Sequence, residues 1–215
     1  MGARKRAHPG FTLIEMLVAV TVLGLMLMAT MPSATAWIRN LRLRTLSESM
    51  LGGLQQARAE AVRRNTLVTF WLVNQSNPTV MDNSCTLSSS GQAWVVSLDS
   101  PAGKCGSAVS TSTSPRIVAM QGAAQGTASS LRVRAYQIDG TTAASAITFN
   151  GFGRTTTRIT GNNPVALIKV DYASSSDGDR PLWILISPSG SVTLCDPNSA
   201  IPSTDPRYCP SLSSI

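Results

Sequence analysis

Between Phe11 and Ile38 the sequence carries one charged side chain, Glu15. From Met16 to Ile38 nothing is charged, which is longer than the roughly 20 residues a helix needs to cross a bilayer. A carboxylate near the start of such a helix costs on the order of a few kcal/mol unless a cation pairs with it. The chemistry this position offers is electrostatic: a solitary acid in an apolar helix calls for a partner cation, and such a pair fixes the axial register of whatever supplies it. A plain membrane anchor with its acid snorkelling to the headgroups accounts for the length of the run but gives Glu15 no task.

Four cysteines, Cys85, Cys105, Cys195 and Cys209, form the second set able to do chemistry. None makes a CxxC pair, so zinc and thioredoxin-like readings lack their spacing. All lie far beyond the apolar run, where an oxidising compartment would favour disulfides. Three pairings are open. The short-loop one, Cys85–Cys105 with Cys195–Cys209, closes two local loops and is the expectation here; one bridge with two buried thiols is its alternative. The sole histidine, His8, precedes the apolar run. If that leading segment is removed, no imidazole remains for general-base, triad or metal-ligand work. P-loop, GxGxxG and HExxH patterns are missing. No catalytic residue, metal, cofactor or small-molecule substrate is expected, and a membrane-anchored periplasmic enzyme is the weakest of the readings.

The elements that must position these groups follow from composition and periodicity. At 215 residues with 13% charged side chains and a formal net charge of +7, the chain suits one exported, β-rich domain beyond the apolar segment. Arg4, Lys5 and Arg6 flank that segment as a cytoplasmic n-region would. Beyond Pro32 the helical pattern turns amphipathic: Ile38, Leu41, Met50, Leu54, Ala57 and Ala61 form a stripe that Leu43, Leu46 and Leu51 widen. Asn65 is a stop signal. A helix from 11 to 64 would be about 80 Å long at 1.5 Å per residue. Seven short β-branched or aromatic runs then read as strands: Leu67–Val73, Trp94–Leu98, Arg116–Met120, Leu131–Tyr136, Ala146–Phe149, Ala166–Tyr172 and Leu182–Ile186. Ser107–Ser114, Ser174–Asp179 and Ser88–Gln92 read as surface loops. The expected fold class is α+β: a long amino-terminal helix packed on an antiparallel sheet.

The stretch G-F-T-L-I-E, Gly10 to Glu15, preceded by basic residues and followed by an unbroken apolar helix, resembles the type III leader junction of type IV pilins and pseudopilins. The resemblance implies that prepilin peptidase cuts between Gly10 and Phe11 and methylates the new amino terminus at Phe11. It implies that Glu15 neutralises the amino terminus of a neighbouring subunit, and that the helix bends or melts at Pro32 on assembly. Residues 1–10 are then a leader, 11–35 a transmembrane and filament-core helix, 36–65 an amphipathic helix and 66–215 a periplasmic head. The expected location is the bacterial inner membrane, single-pass, and a pilus or pseudopilus after assembly. Partners would be other minor and major pilins, the peptidase and the membrane.

Ala57 to Phe70 is similar to the helix-to-strand junction of the GspH/FimT branch of that family, which includes FimT- and FimU-like members. The strand led by Trp94, the F-N-G-F-G-R turn at Phe149 to Arg154, and I-S-P-S-G-S-V-T-L-C from Ile186 to Cys195 agree with it. Minor subunits of this branch sit in tip or priming complexes of type IV pili or type II secretion pseudopili. FimT-type members bind DNA during natural transformation through G-R-x-R before a late cysteine. Here that stretch is Gly190-Ser191-Val192-Thr193, without either arginine. Arg154 and Arg158 with Arg132 and Arg134 are the substitute nucleic-acid contacts; four arginines on three segments otherwise make a solvated face, since a phosphate backbone needs several cations acting together.

Overall fold

The computed structural model describes residues 11–123, 130–157 and 163–214, with the side chains of 27–33 also outside the description. Two compact units divide the chain, one ending at Ile38 and the other beginning at Arg39.

One helix, α1, runs from Leu13 to Arg64. It starts at Thr12, whose Oγ1 accepts the Glu15 backbone N–H at 3.3 Å. That is half of a T-x-x-E capping box, and it places an acid in the first turn, where the helix dipole favours it. The helix stops because Asn65 adopts φ 48°, the left-handed cap that Asn tolerates better than most residues. Asn65 N–H then donates to the Val62 carbonyl and Thr66 N–H to the Ala61 carbonyl, both at 3.2 Å, closing a Schellman cap.

In the second unit the buried face of α1 is Leu43, Leu46, Met50, Leu54, Ala57 and Ala61, at spacings of three and four. Ile38 and Leu41, expected in that stripe, are instead exposed, and Leu43 and Leu46 carry its start. At about 100° per residue, 43, 46 and 50 share one face, whereas Leu41 falls on the opposite side of the helix and Ile38 roughly 120° away from the stripe.

Among the described residues two antiparallel sheets, rather than the single one expected, pack with this part of α1. The first has the order β4-β3-β1-β6-β7, from β1 (Val68–Asn74), β3 (Ala93–Ser97), β4 (Ile117–Gln121), β6 (Ala146–Phe149) and β7 (Thr155–Thr156), with β2 (Thr86–Leu87) also paired to β1. The second has the order β10-β9-β8-β5, from β5 (Leu131–Tyr136), β8 (Leu167–Tyr172), β9 (Leu182–Ile186) and β10 (Val192–Cys195). Strand β1 reads as a continuous apolar run because both its faces are covered. Val68, Phe70 and Leu72 join the main core with α1 and the second sheet, while Trp71 and Val73 pack against Cys85, Cys105 and Ile117 on the other side. In β5 the alternation is clean: Leu131, Val133 and Ala135 point inward, and Arg132 and Arg134 do not.

The free flank of β5 is occupied. Ala135 N–H donates to the Ser89 carbonyl at 2.8 Å, Ala144 N–H to the Ala135 carbonyl at 3.1 Å, and the Gln92 side-chain amide to the Leu131 carbonyl at 2.7 Å. The loop Ser174–Asp179 is likewise held to α1. Asn40 donates to the Gly178 carbonyl at 2.8 Å and accepts from Arg180 N–H at 2.8 Å. Arg39 grips Asp179 through Nε at 2.7 Å and Nη2 at 2.6 Å, with its guanidinium 3.7 Å from the Tyr172 ring centre.

Candidate functional site

Among its described residues the first unit offers an exposed apolar surface. Phe11, Leu13, Ile14, Met16, Leu17, Val18, Val20, Leu23, Leu25 and Met26 are all more than half exposed. Polar residues are too few here to give the helix a wet face, and a helix apolar all round needs lipid or other helices around it. Leu13 to Met26, where side chains are described, falls short of a roughly 20-residue span. Among the described residues no helix is long and apolar enough to cross a membrane, although the uncharged run in the sequence continues to Ile38. Glu15 is exposed in this surface, and among the described residues no cation pairs with it. Gly10 lies outside the described residues. Helix α1 passes through position 32 without interruption, Pro32's side chain lying outside the description.

In the second unit three sequence stretches singled out above meet at the end of α1. Asn150 Oδ1 accepts the N–H groups of Phe152 (3.0 Å) and Arg154 (3.1 Å), which folds the N-G-F-G-R turn between β6 and β7. Arg58 Nε donates to the Gly153 carbonyl at 3.0 Å, tying that turn to the helix. Thr155 N–H donates to the Pro188 carbonyl at 3.2 Å, tying it to the turn between β9 and β10. Gly190 has φ 81°, and a Cβ there would overlap the Gly153 carbonyl, so two turns approach to backbone contact. The tip residue Phe152 is 86% exposed.

Disulfides join Cys85 to Cys105, with Cα atoms 6.0 Å apart, and Cys195 to Cys209, with Cα atoms 5.1 Å apart. The second closes a loop off the end of β10; Asp196 N–H also donates to the Arg207 carbonyl at 2.8 Å within it. The arginines offered for nucleic acid are not brought together as one set. Arg132 and Arg134 both bind Asp171 on β8, whereas Arg154 is in the β6–β7 turn of the other sheet. Arg158 lies outside the described residues.

Sequence reasoning missed Thr12 as the cap beneath Glu15 and the Arg39–Asp179 grip. The T-x-x-E pattern is a local signal that could have found the first; the second spans 140 residues and has none. Arg39 holds the Asp179 carboxyl below its usual value, mainly by hydrogen bonding, against a smaller opposing push from burial. Among the described residues no group of His, Cys, Asp and Glu could hold a metal ion.

The profile of the prokaryotic N-terminal methylation motif matches residues 5–31, and that of the type II transport protein GspH matches residues 46–207. Similar solved structures include two crystal forms, P65 and P21, of the type IV minor pilin FimU of Pseudomonas aeruginosa (strain PAO1). Each is 14% identical with a TM-score of 0.42, and they cover 74% of this chain and 99% and 95% of their own. No curated protein matches the chain. The GspH match runs from the buried half of α1 through every strand into the loop closed by Cys209, with the methylation motif ahead of it, and the chain therefore belongs to the GspH family of type II transport proteins.

Proposed function

We propose that the chain is a minor pilin or pseudopilin that is cut between Gly10 and Phe11, methylated at Phe11 and built into the tip or priming complex of a type IV pilus or type II secretion pseudopilus. Before assembly residues 11–35 anchor it by a single pass in the inner membrane, with the head in the periplasm. The observation that carries this reading is the exposed apolar surface from Phe11 to Met26, with a carboxylate in the first turn of α1 that has no cation partner among the described residues. Packing against other subunits removes that surface from lipid, and a neighbour's ammonium removes much of the cost of the lone acid. The two disulfides suit the oxidising side of the membrane.

Amino-terminal sequencing of native material tests the reading. N-methylated Phe11 is the expected first residue; a start downstream of α1's apolar part would make this an ordinary secreted protein. A Glu15→Ala variant should be cut normally and fail to enter filaments, and normal incorporation would refute the register role. The nucleic-acid alternative is weakened because Asp171 already engages two of its four arginines.

A further inference from the structure

The outer face of the second sheet holds a compact cationic cleft that the assembly reading leaves without a task. The register of β5 against β8 sets Arg132 opposite Asp171 and Arg134 opposite Lys169. Asp171 binds both guanidiniums, taking Arg132 Nε at 2.9 Å and Arg134 through Nη2. Arg134 Nε is a buried donor without a hydrogen-bond partner among the described residues. Lys169 Nζ lies 4.6 Å from the Trp183 ring centre and 5.2 Å from that of Tyr136, and among the described residues it has no carboxylate partner. The three cations, Asp171 and Trp183 line a cleft of about 410 Å³ with Pro181 and Pro197 also in its wall. Asp179 also lines it, but Arg39 already neutralises that acid. Among the described residues three cations share one remaining acid here, so two positive charges stand unbalanced beside the Trp183 ring.

We propose that this cleft receives a pair of carboxylates presented by an acidic segment of an adjoining subunit; the subunit as source rests on the assembly reading above. Two carboxylates match the unbalanced charge. Asp171 demonstrates the receptor geometry, since a carboxylate fits the planar forks of adjacent arginines. The volume admits one or two side chains whose methylenes would lie on Trp183 and the proline wall. A nucleic-acid strand would instead need a track of free cations. Beyond the cleft, Arg39, Arg116 and Arg207 are each committed to an aspartate.

The test uses the full chain in detergent with a tetraglutamate peptide as the probe, followed by calorimetry and tryptophan fluorescence. Saturable binding is expected, weakened at least ten-fold in an Arg134→Gln/Lys169→Gln variant and in high salt. Wild-type affinity in that variant would overturn the site. An oligothymidylate of equal charge binding more tightly than the peptide would overturn the carboxylate assignment. Matching thermal melts keep folding out of the comparison, and Lys169→Gln alone serves if the double variant is unstable. If the variant loses the peptide yet enters filaments as the wild type does, the subunit source is overturned. If the wild type binds the peptide but never enters a filament, the cleft is supported and the assembly reading fails instead.

Discussion

Gly52 and Gly53 are neighbours on α1, and alanine at each is expected to move stability in opposite directions. Nothing lies within 4 Å of a Cβ built at Gly52, so Gly52→Ala should gain the helix-propensity difference of about 0.5–1 kcal/mol. At Gly53 the same gain meets an obstacle. A Cβ there would stand 2.8 Å from Phe70 Cε2 and 2.9 Å from two atoms of the Trp94 ring. Those rings are stacked with centroids 5.7 Å apart, and Phe70 is fully buried, so neither can yield easily. Displacing Trp94 also disturbs its Nε1–H bond to Ser49 Oγ, 3.1 Å long. Overpacking of this kind costs about 1–3 kcal/mol and a weakened hydrogen bond about 1 kcal/mol more, leaving Gly53→Ala less stable by about 1–3 kcal/mol. The two variants should therefore differ by about 2–4 kcal/mol, or roughly 4–16 °C in Tm for a domain of this size. Urea titration of the full chain in detergent, followed by circular dichroism, measures the difference. Coincident midpoints, or a Gly53→Ala variant more stable than wild type, would refute the packing assigned to this turn of the helix.

Asp179 sets an acid limit. Its folded pKa lies below the unfolded value near 3.9, so its contribution is intact above about pH 4 and is lost as pH falls through the folded value. Urea midpoints between pH 6 and pH 2.5 should fall less steeply in Asp179→Asn than in wild type; parallel slopes would contradict the Arg39 grip. Replacing Cys195 and Cys209 together by serine should cost about 3 kcal/mol, the entropy of a loop about 15 residues long, read from chemical denaturation with Cys85–Cys105 intact. Non-reducing peptide mapping of the wild type should recover Cys195 joined to Cys209. Gly190→Ala should cost about 2–4 kcal/mol, from a left-handed backbone and from pushing the Gly153 carbonyl off Arg58. Hydrogen exchange in that variant should quicken at Gly153 and Thr155 before it does at β8.

Features encoded by near neighbours were legible in the sequence. The run from Leu13, the stop at Asn65 and the alternation of Leu131, Val133 and Ala135 with Arg132 and Arg134 each depend on residues a few positions apart. Arg116 shows where a local pattern misled: expected in a strand, it takes φ 52° and bonds Asp99, and β4 begins one residue later. The splitting of the strands into two sheets was not legible, because β1 pairs with β6 and β5 with β8 across long stretches of chain. The same holds for the candidate cleft. Arg132 and Arg134 were noticed as cations, but Asp171, Lys169 and Trp183 come to them only through register.

The covered flank of β5 limits how copies of this head can join. Hydrogen-bonding groups of an outermost strand are an open invitation to a strand from another molecule, the route by which exported β-rich proteins clump. Here Ser89, Gln92 and Ala144 occupy that flank from within the same chain. Growth by adding strand to strand is closed on this side, so neighbours must recognise one another there by side-chain shape and charge, which a sequence can vary without disturbing the backbone.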